Sequence, residues 1–391
     1  MSRPAVEVAD LLRAQADRFY SQSPWLSYQQ LSVLRAITRC RTAALGGHID
    51  TCPGCGYDGG ISYNSCRNRH CPKCQAQARE RWLAAREKEL LPVPYFHVVF
   101  TVPHELNPLC LRNARVLYDL LFSASAAAML EVAANPKRLG ARIGFISILH
   151  TWGQNLLLHP HIHCMVPAGG FSPDYKGWIH PKYAFFLPVD VLSVVFRAKF
   201  ADGLKKLYRR GKLIFAGATA ELRHQKRFAA FVDSLFRQKW VVYAKPAFGG
   251  PRKVLKYLGR YTHRVAISNH RLLAFDGQHV TFRWRDYAHG NKQRKMTLSS
   301  SEFLRRFTLH ILPRGFVRIR QFGFLTNTRR SSLLAAARLL LTPDQSATSS
   351  CRPEGGNSST WRCPRCNGQM RIGPNLSARQ LASRCRPLDS S

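Results

Sequence analysis

Residues 143–167 read IGFISILHTWGQNLLLHPHIHCMVP, and this stretch decides how the rest of the chain is interpreted. The segments IGFISILHTW and HIHCMVP are rich in β-branched and aromatic residues, which predicts two strands joined by GQNLLLHP. A short connection between neighbouring strands favours an antiparallel hairpin. Because side chains alternate between the faces of a strand, His161 and His163 should project from one face, about 6–7 Å apart. This spacing suits two imidazoles that bind one metal ion.

A third ligand is expected beside this pair, because two histidines rarely hold a metal ion alone. The nearest candidates are Gln154, in the connection, and His150, at the end of the preceding strand. We take Gln154 as the third ligand. Pro160 cannot donate a hydrogen bond to a sheet, so it is expected to start the second strand and to leave His159 at the lip of the site.

A second informative string is KYLGRYTHR at residues 256–264, which is predicted to be helical. Tyr257 and Tyr261 are four residues apart and would lie on one helix face. The purely structural interpretation is that Tyr261 belongs to an apolar helix face that packs in the protein core. The flanking positive charge favours a DNA-binding site instead, and it comes from Lys256, Arg260, His263 and Arg264. A glycine inside a helix destabilises the helix by about 1 kcal/mol relative to Ala. A close backbone approach or a flexible joint would explain why glycine occupies position 259.

The metal pair and the tyrosines suggest phosphodiester chemistry. A phenol has a pKa near about 10 and is a weak nucleophile at neutral pH. A divalent ion can polarise a phosphate and stabilise the charge that develops during attack. Attack by one phenol would leave a 5′-phosphotyrosine and a free 3′ hydroxyl. A second tyrosine permits two linked cleavages in one active site.

The charge of the chain points to nucleic acid as its partner. The sequence has 59 Lys and Arg against 22 Asp and Glu, a formal net charge of +37 that is spread along the chain. Phosphates are natural counter-ions for such a surface. Composition alone leaves open a ribosome-associated or non-specifically basic protein.

Length and composition indicate a globular protein of two or three domains, with 391 residues of which 45% are hydrophobic. We find no uninterrupted apolar run long enough to span a bilayer, and the N-terminus MSRPAVEVADLL lacks the layout of a signal peptide. Twelve cysteines in such a chain favour metal ligands over disulfides. We expect a cytoplasmic location with access to DNA, and no membrane partner.

Paired C-x-x-C knuckles predict a structural zinc site with four thiolate ligands. The predicted ligands are Cys52, Cys55, Cys71 and Cys74, with Cys66 and His70 as alternatives and with Cys40 and His48 nearby. The tail carries a candidate half of a second zinc knuckle at Cys363 and Cys366. Cys351 and Cys385 are its distant partners in the sequence.

The order of these segments predicts an α+β fold with an antiparallel sheet and three parts. Residues 1–92 form a helical and zinc-ribbon DNA-binding domain. Residues 93–341 form the catalytic domain, and residues 342–391 form a flexible linker with the small cysteine-bearing tail. Helices are expected near residues 1–39, 75–91 and 188–210.

His161-Ile162-His163 resembles the metal-binding motif of the HUH single-strand endonucleases, and Tyr257 with Tyr261 resembles the paired nucleophiles of two-tyrosine rolling-circle transposases. More specifically, the chain resembles the insertion sequence ninety-one family, in which a zinc-binding domain precedes the catalytic domain. The likeness spans about residues 10–340. It is carried by the strings SCRNRHCPKCQ, TWGQNLLLHPHIHC, KYLGRYTHRVAISNHRL and LPRGFVRIRQFGFL.

The resemblance implies a transposase that moves its element through a single-stranded intermediate, with Mg2+ or Mn2+ at the catalytic site. It also implies an HUH endonuclease-like sheet with the tyrosine helix beside it. The implied partners are the single-stranded ends of a mobile element and its target DNA. The sequence has no phosphate-binding G-x-x-x-x-G-K-[ST] motif, so unwinding would fall to host replication or helicase functions. The alternatives are a plasmid-type replication initiator or relaxase, and a zinc-ribbon nucleic-acid-binding protein without catalysis.

Overall fold

The computed structural model describes residues 4–182, 186–246, 259, 266–286, 289–326, 328–342 and 362–384. Within these residues, helices are interspersed with strands, and every pair of neighbouring strands is antiparallel. The α+β class with an antiparallel sheet, predicted from the sequence, is therefore confirmed.

The N-terminal part contains two helices, a hairpin and a third helix. They are α1 (Val8–Ser21), α2 (Tyr28–Arg39), β1 (Gly47–Thr51), β2 (Asp58–Tyr63) and α3 (Gln75–Glu87). Helix α2 begins at Ser27, whose side chain accepts a hydrogen bond from the backbone N–H of Gln30 while the Gln30 side chain returns to Ser27. This reciprocal pairing satisfies N–H groups that have no partner inside the helix.

The central part contains most of the main sheet and the helices that cover it. Its elements are β3 (Tyr95–Thr101), α4 (Asn107–Arg112), α5 (Ala114–Ala134), β4 (Gly144–Trp152), β5 (Leu158–Pro167), β6 (Gly170–Phe171), β7 (Trp178–Ile179), α6 (Val189–Arg209), α7 (Gln225–Arg237) and β8 (Val242–Pro246). The C-terminal part contains β9 (Leu272–Phe275), β10 (His279–Asp286), β11 (Lys292–Ser299), α8 (Ser300–Thr308), β12 (Ile319–Gly323), α9 (Arg330–Leu341), β13 (Arg371–Leu376) and α10 (Ala378–Arg384).

The main sheet has five strands in the order β12-β4-β5-β3-β8, so β5 lies at its centre. One face of the sheet packs against α5 and α6 and forms the largest hydrophobic core. Phe100, Phe145 and Ile162 point into this core and are fully buried. The opposite face carries Ile148 and Met165, which pack in a separate core with α9. The alternation of side chains along the strands therefore divides the sheet into two differently covered faces.

Helix α5 (Ala114–Ala134) is the one helix in the described part of the chain that is long and apolar enough to cross a membrane. It packs on the main sheet, and 61% of its most apolar window is buried. Phe122 and Met129 on this helix are fully buried. Its apolar composition is accounted for by its position in the protein core.

A second sheet joins the N-terminal helices to a later part of the chain. Strands β11-β10-β9 form this sheet, and it shares one hydrophobic core with α1, α2 and α8. Leu11 and Leu34 from the N-terminal helices meet Phe282 and Phe303 in that core. The predicted domain boundary at residue 92 is therefore crossed by a continuous core.

A third sheet, in the order β13-β1-β2, brings the end of the chain back to its beginning. Gly47 on β1 lies opposite Leu376 on β13, and Thr51 lies opposite Arg371. The sequence analysis expected a linker and a tail in residues 342–391 and did not predict β13 or α10. The described residues 362–384 fold onto the N-terminal hairpin.

Candidate functional site

Three histidines from two neighbouring strands converge on the face of the main sheet opposite α5 and α6. His161 and His163 lie on β5, and His150 lies on β4 directly opposite His161. One ring nitrogen from each residue lies within 4.8 Å of the others. Ile162 and Cys164, at the alternate positions, are fully buried in the core on the other face. The predicted division of this strand into a histidine face and a core face is therefore confirmed.

His150 supplies the third nitrogen of this group. The sequence offered both His150 and Gln154 as candidates for the third ligand, and we chose Gln154. Gln154 lies beyond the end of β4, where its backbone carbonyl accepts a hydrogen bond from the guanidinium of Arg271. A role for the Gln154 side chain as a ligand stays a prediction.

His161 and His163 are held in the neutral form that metal binding requires. Burial lowers the pKa of His161 to about 3 and the pKa of His163 well below its usual value. The Nδ1 atom of His161 lies 2.6 Å from the carbonyl oxygen of His159 and must donate to it, because a carbonyl only accepts. The proton of His161 therefore lies on Nδ1, and Nε2 carries the lone pair for a metal ion.

A fourth histidine, His97 on β3, contacts this group and was missed by the sequence analysis. Its Nε2 lies 2.8 Å from Nδ1 of His163, and burial lowers the pKa of His97 to about 4. The two rings are nearly parallel, with an interplanar angle of 8°. The only sequence signal was one polar residue inside the apolar strand YFHVVFT.

Strand β5 begins at Leu158 and not at Pro160, as the sequence analysis had expected. Pro160 is buried within the strand, and His159 is exposed. The register between β4 and β5 shifts at this point, between His150 and Trp152. A register shift accommodates a proline inside a strand, because the missing N–H falls where the ladder is already interrupted.

The connection between β4 and β5 is fastened to the second sheet and its helix. Three consecutive backbone carbonyls accept hydrogen bonds from side chains of that part: Gln154 from Arg271, Asn155 from Arg306 and Leu156 from His310. The Leu156 side chain is fully buried in the core formed by α1, α2 and α8. The loop beside the histidines is therefore held by the N-terminal helices and by side chains between residues 271 and 310.

Tyr257 and Tyr261 lie outside the described residues. So do the four flanking basic residues Lys256, Arg260, His263 and Arg264. Gly259, between the tyrosines, is described as helical and buried. A Cβ atom added to Gly259 would lie 2.7 Å from Cδ1 of Leu83 on α3, which is tighter than real side-chain contacts. Of the two explanations for this glycine, the close approach is the one that the contacts support.

The cysteines form two clusters, and their membership differs from the prediction. In each cluster the four sulfur atoms lie within 4.8 Å of one another. The first cluster is Cys40, Cys66, Cys71 and Cys74, and the second cluster is Cys52, Cys55, Cys363 and Cys366. The predicted single site of Cys52 and Cys55 with Cys71 and Cys74 is therefore wrong. Of the two alternatives, Cys66 belongs to the first cluster, and His70 is in neither cluster; Cys351 and Cys385 lie outside the described residues.

The β1–β2 hairpin explains why the predicted cysteines do not meet. Cys52 and Cys55 lie in the turn at its tip, whereas Cys40 precedes β1 and Cys66 follows β2. A strand of five residues such as β1 extends about 17 Å, which separates the tip from the base of the hairpin. Cys52 and Cys55 therefore meet other cysteines at the tip of the hairpin, and Cys40 and Cys66 meet other cysteines at its base.

The first cluster fits a closed zinc site. Sγ of Cys74 lies 3.6 Å from Sγ of Cys40 and 3.6 Å from Sγ of Cys66. Four thiolates around Zn2+ at about 2.3 Å would place the sulfur atoms about 3.8 Å apart. Cys74 is also the N-cap residue of α3, where the helix dipole favours a negatively charged thiolate.

The chain was compared with known protein families and proteins. Residues 11–102 match the family described as "Transposase zinc-binding domain", and residues 144–332 match the family described as "Putative transposase". A relative from Sinorhizobium fredii described as "Putative transposase y4qJ" is 49% identical over 380 residues, which cover 95% of this chain and 95% of the relative. No solved structure matches the chain.

A second relative is described as the transposase for insertion sequence element IS801 of Pseudomonas savastanoi pv. phaseolicola. It is 30% identical over 305 residues, which cover 76% of this chain and 70% of the relative. The zinc-binding match contains the first cluster, and the second match contains the three histidines. These similarities show that the chain belongs to the insertion sequence ninety-one (IS91) family of transposases.

Proposed function

We propose that this transposase nicks and rejoins single-stranded DNA through 5′-phosphotyrosine intermediates and moves its element by a rolling-circle-like mechanism. The observation that carries the proposal is the convergence of His150, His161 and His163 on one face of an antiparallel sheet. In this proposal the main sheet is an HUH endonuclease-like sheet. Tyr257 and Tyr261 are its nucleophiles.

The three histidines would hold the catalytic divalent ion, because each of them brings a ring nitrogen to a common point. Mg2+ prefers oxygen ligands, so this donor set favours Mn2+ over Mg2+ until DNA phosphate adds oxygen atoms. When bound, the ion would polarise the scissile phosphate and stabilise the charge that develops on it.

The first chemical step is attack by one phenol oxygen on the phosphorus atom. The new bond joins the tyrosine oxygen to phosphorus, and the bond from phosphorus to the 3′ oxygen breaks. The phenol proton is lost and the 3′ oxygen gains a proton, so the products are a 5′-phosphotyrosine and a 3′ hydroxyl. Attack by a 3′ hydroxyl on the phosphotyrosine reverses these changes and rejoins a strand. No nucleotide cofactor is required, because the phosphoester bond energy is retained.

Two tyrosines allow one active site to hold two covalent strands, as transfer between an element end and a target requires. The proposed partners are single-stranded ends of the mobile element, target DNA, and host replication or helicase functions that separate the strands. The reaction takes place in the bacterial cytoplasm, at the nucleoid.

The β10–β11 hairpin is proposed as a surface that contacts DNA. Its inner residues Val280 and Phe282 are fully buried, whereas its outer face is exposed and basic. Three exposed basic side chains lie on this outer face, Arg283, Arg285 and Lys295, and two more exposed basic residues of β11, Lys292 and Arg294, lie on its other face. Arg283 and Lys295 lie directly opposite each other on the two strands. Like charges in this position repel, and a bound phosphate would relieve the repulsion.

The test of this function is the double variant His161→Ala with His163→Ala. We expect it to lose nicking of a single-stranded element end in the presence of Mn2+, while its DNA affinity and melting temperature stay close to wild type. His159→Ala is the matched control, because His159 is exposed on the same strand and should retain nicking. Unchanged nicking by the double variant, or loss of folding, would contradict the proposed role of the histidines.

A further inference from the structure

The second cluster joins residues from opposite ends of the chain. Sγ of Cys52 lies 3.4 Å from Sγ of Cys366, and Sγ of Cys55 lies 3.5 Å from Sγ of Cys363. No cysteine in the described part of the chain forms a disulfide. These distances are close to the value of about 3.8 Å that is expected between the sulfur atoms of four thiolates around one zinc ion.

The two halves of this cluster have the same backbone structure. In the first half, the N–H of Cys52 donates to the carbonyl of Tyr57 at 2.9 Å, and the N–H of Gly56 donates to the carbonyl of Cys52 at 2.9 Å. The second half repeats both bonds at the same spacings. The N–H of Cys363 donates to Gly368 at 2.8 Å, and the N–H of Asn367 donates to Cys363 at 2.9 Å.

The equivalence extends to the residue that follows each pair of cysteines. Gly56 has φ of 68° and Asn367 has φ of 57°, and glycine and asparagine are the residues that adopt this conformation most readily. In the second half, the backbone N–H of Arg365 also donates to Sγ of Cys363 at 3.4 Å. Such a bond favours a thiolate. Two matched halves that present four sulfur atoms to one point are typical of a zinc site.

The strands next to the cluster also pack closely against each other. Strand β13 pairs with β1, and a Cβ atom added to Gly373 would lie 2.2 Å from the carbonyl oxygen of Ile49. Only glycine permits that approach. The hydrophobic cluster at this point contains Cys52, Cys363 and Met370, with Tyr57 packed against it. A core this small gives little stability without a further link.

We propose that Cys52, Cys55, Cys363 and Cys366 bind one zinc ion, which fastens residues 362–384 to the β1–β2 hairpin. This site is distinct from the first cluster and is shared between the two ends of the chain. It does not rest on the nuclease chemistry proposed above. The zinc ion closes the sheet that β13 completes.

The test is the zinc content of the purified full chain, measured by elemental mass spectrometry. Three variants should each contain one zinc equivalent fewer than wild type: Cys363→Ser with Cys366→Ser, Cys52→Ser with Cys55→Ser, and all four changes together. Because the measured quantity is the difference in zinc content between wild type and variant, any zinc that the histidines bind in both proteins cancels. Arg365→Ser is the matched control, because Arg365 lies between the two tail cysteines, and its zinc content should equal wild type.

Two results would overturn the proposal. One is loss of zinc from the Cys52 and Cys55 variant but not from the Cys363 and Cys366 variant. The other is loss of two equivalents from the fourfold variant. Cys366→His should retain the equivalent, because Cys366 is exposed and histidine is also a zinc ligand; loss of that equivalent would count against coordination.

Hydrogen exchange provides a second readout of the same link. In the Cys52 and Cys55 variant, peptides from β13 (Arg371–Leu376) should exchange faster, while peptides from α5 (Ala114–Ala134) keep their protection. Unchanged protection of β13 would contradict the link between the two ends. Protection lost from both segments would mean general unfolding and would also contradict a local role for the site.

Discussion

Nε2 of His97 lies 2.8 Å from Nδ1 of His163, in a buried pair of rings stacked at an interplanar angle of 8°. His163 offers its Nε2 to a metal ion only when its proton is on Nδ1, and that proton then needs an acceptor. Burial lowers the pKa of His97 to about 4, so His97 is neutral at pH 7 and can accept. His97 is therefore placed to fix the orientation and tautomer of His163.

Removing the acceptor should weaken metal binding without removing a ligand. We expect His97→Phe to lower Mn2+ affinity about 10- to 100-fold, the usual effect of losing such a partner. His97→Gln keeps an acceptor oxygen and should lose less. Titration calorimetry measures both affinities, and the melting temperature shows whether the variants are folded. Wild-type affinity in a folded His97→Phe protein would contradict the role of His97.

The third ligand can be identified by comparing two substitutions on either side of the end of β4. His150→Ala should reduce Mn2+ affinity by at least tenfold, because it removes one of the three converging nitrogens. Gln154→Ala should have little effect, because the contact made by Gln154 with Arg271 uses its backbone carbonyl. Calorimetric titration with Mn2+ measures both. The reverse order of effects would restore Gln154 as the ligand.

Leu156 links the loop beside the histidines to the N-terminal core. Its side chain is fully buried, whereas its neighbour Leu157 is 44% exposed. Leu156→Ala should lower the free energy of unfolding by about 2–5 kcal/mol through lost burial and a residual cavity. Leu157→Ala should change it by less than about 0.5 kcal/mol. Urea denaturation measures both values, and equal losses would show that the loop is not anchored by Leu156.

The basic hairpin should contribute to DNA affinity in a salt-dependent way. We expect the double variant Lys292→Gln with Lys295→Gln to bind single-stranded DNA more weakly. The slope of log affinity against log salt should fall by about 0.7 for each phosphate contact that is lost. Lys226→Gln with Arg227→Gln removes the same charge from the exposed surface of α7 and is the control. Equal effects of the two double variants would mean that only net charge matters.

The sequence predicted the histidine face well because side-chain alternation is a local property of a strand. The positions of His161 and His163, and of Ile162 on the opposite face, followed from the period of two alone. His97 could not be predicted in this way. It is 66 residues from His163 in the chain and meets it only because β3 pairs with β5.

The cysteine clusters show the same limit. Each C-x-x-C pair was recognised from the sequence, because the knuckle is a local structure. The choice of partners depended on where the hairpin tip lies and on the pairing of β13 with β1. Cys52 and Cys366 are 314 residues apart, and no local pattern relates them. Helix α5 was also missed, because its buried residues extend around most of the helix and leave only a weak amphipathic pattern.

The most direct test of the proposed chemistry is the formation of a covalent adduct between the protein and DNA. The wild-type chain is incubated with Mn2+ or Mg2+ and a single-stranded oligonucleotide from an end of its element, and the products are separated under denaturing conditions. Tyr243→Phe serves as the control, because Tyr243 is an exposed tyrosine on β8. We predict an adduct from wild type and from Tyr243→Phe, and none from the double variant Tyr257→Phe with Tyr261→Phe. An undiminished adduct from that double variant, or no adduct from wild type, would contradict the account.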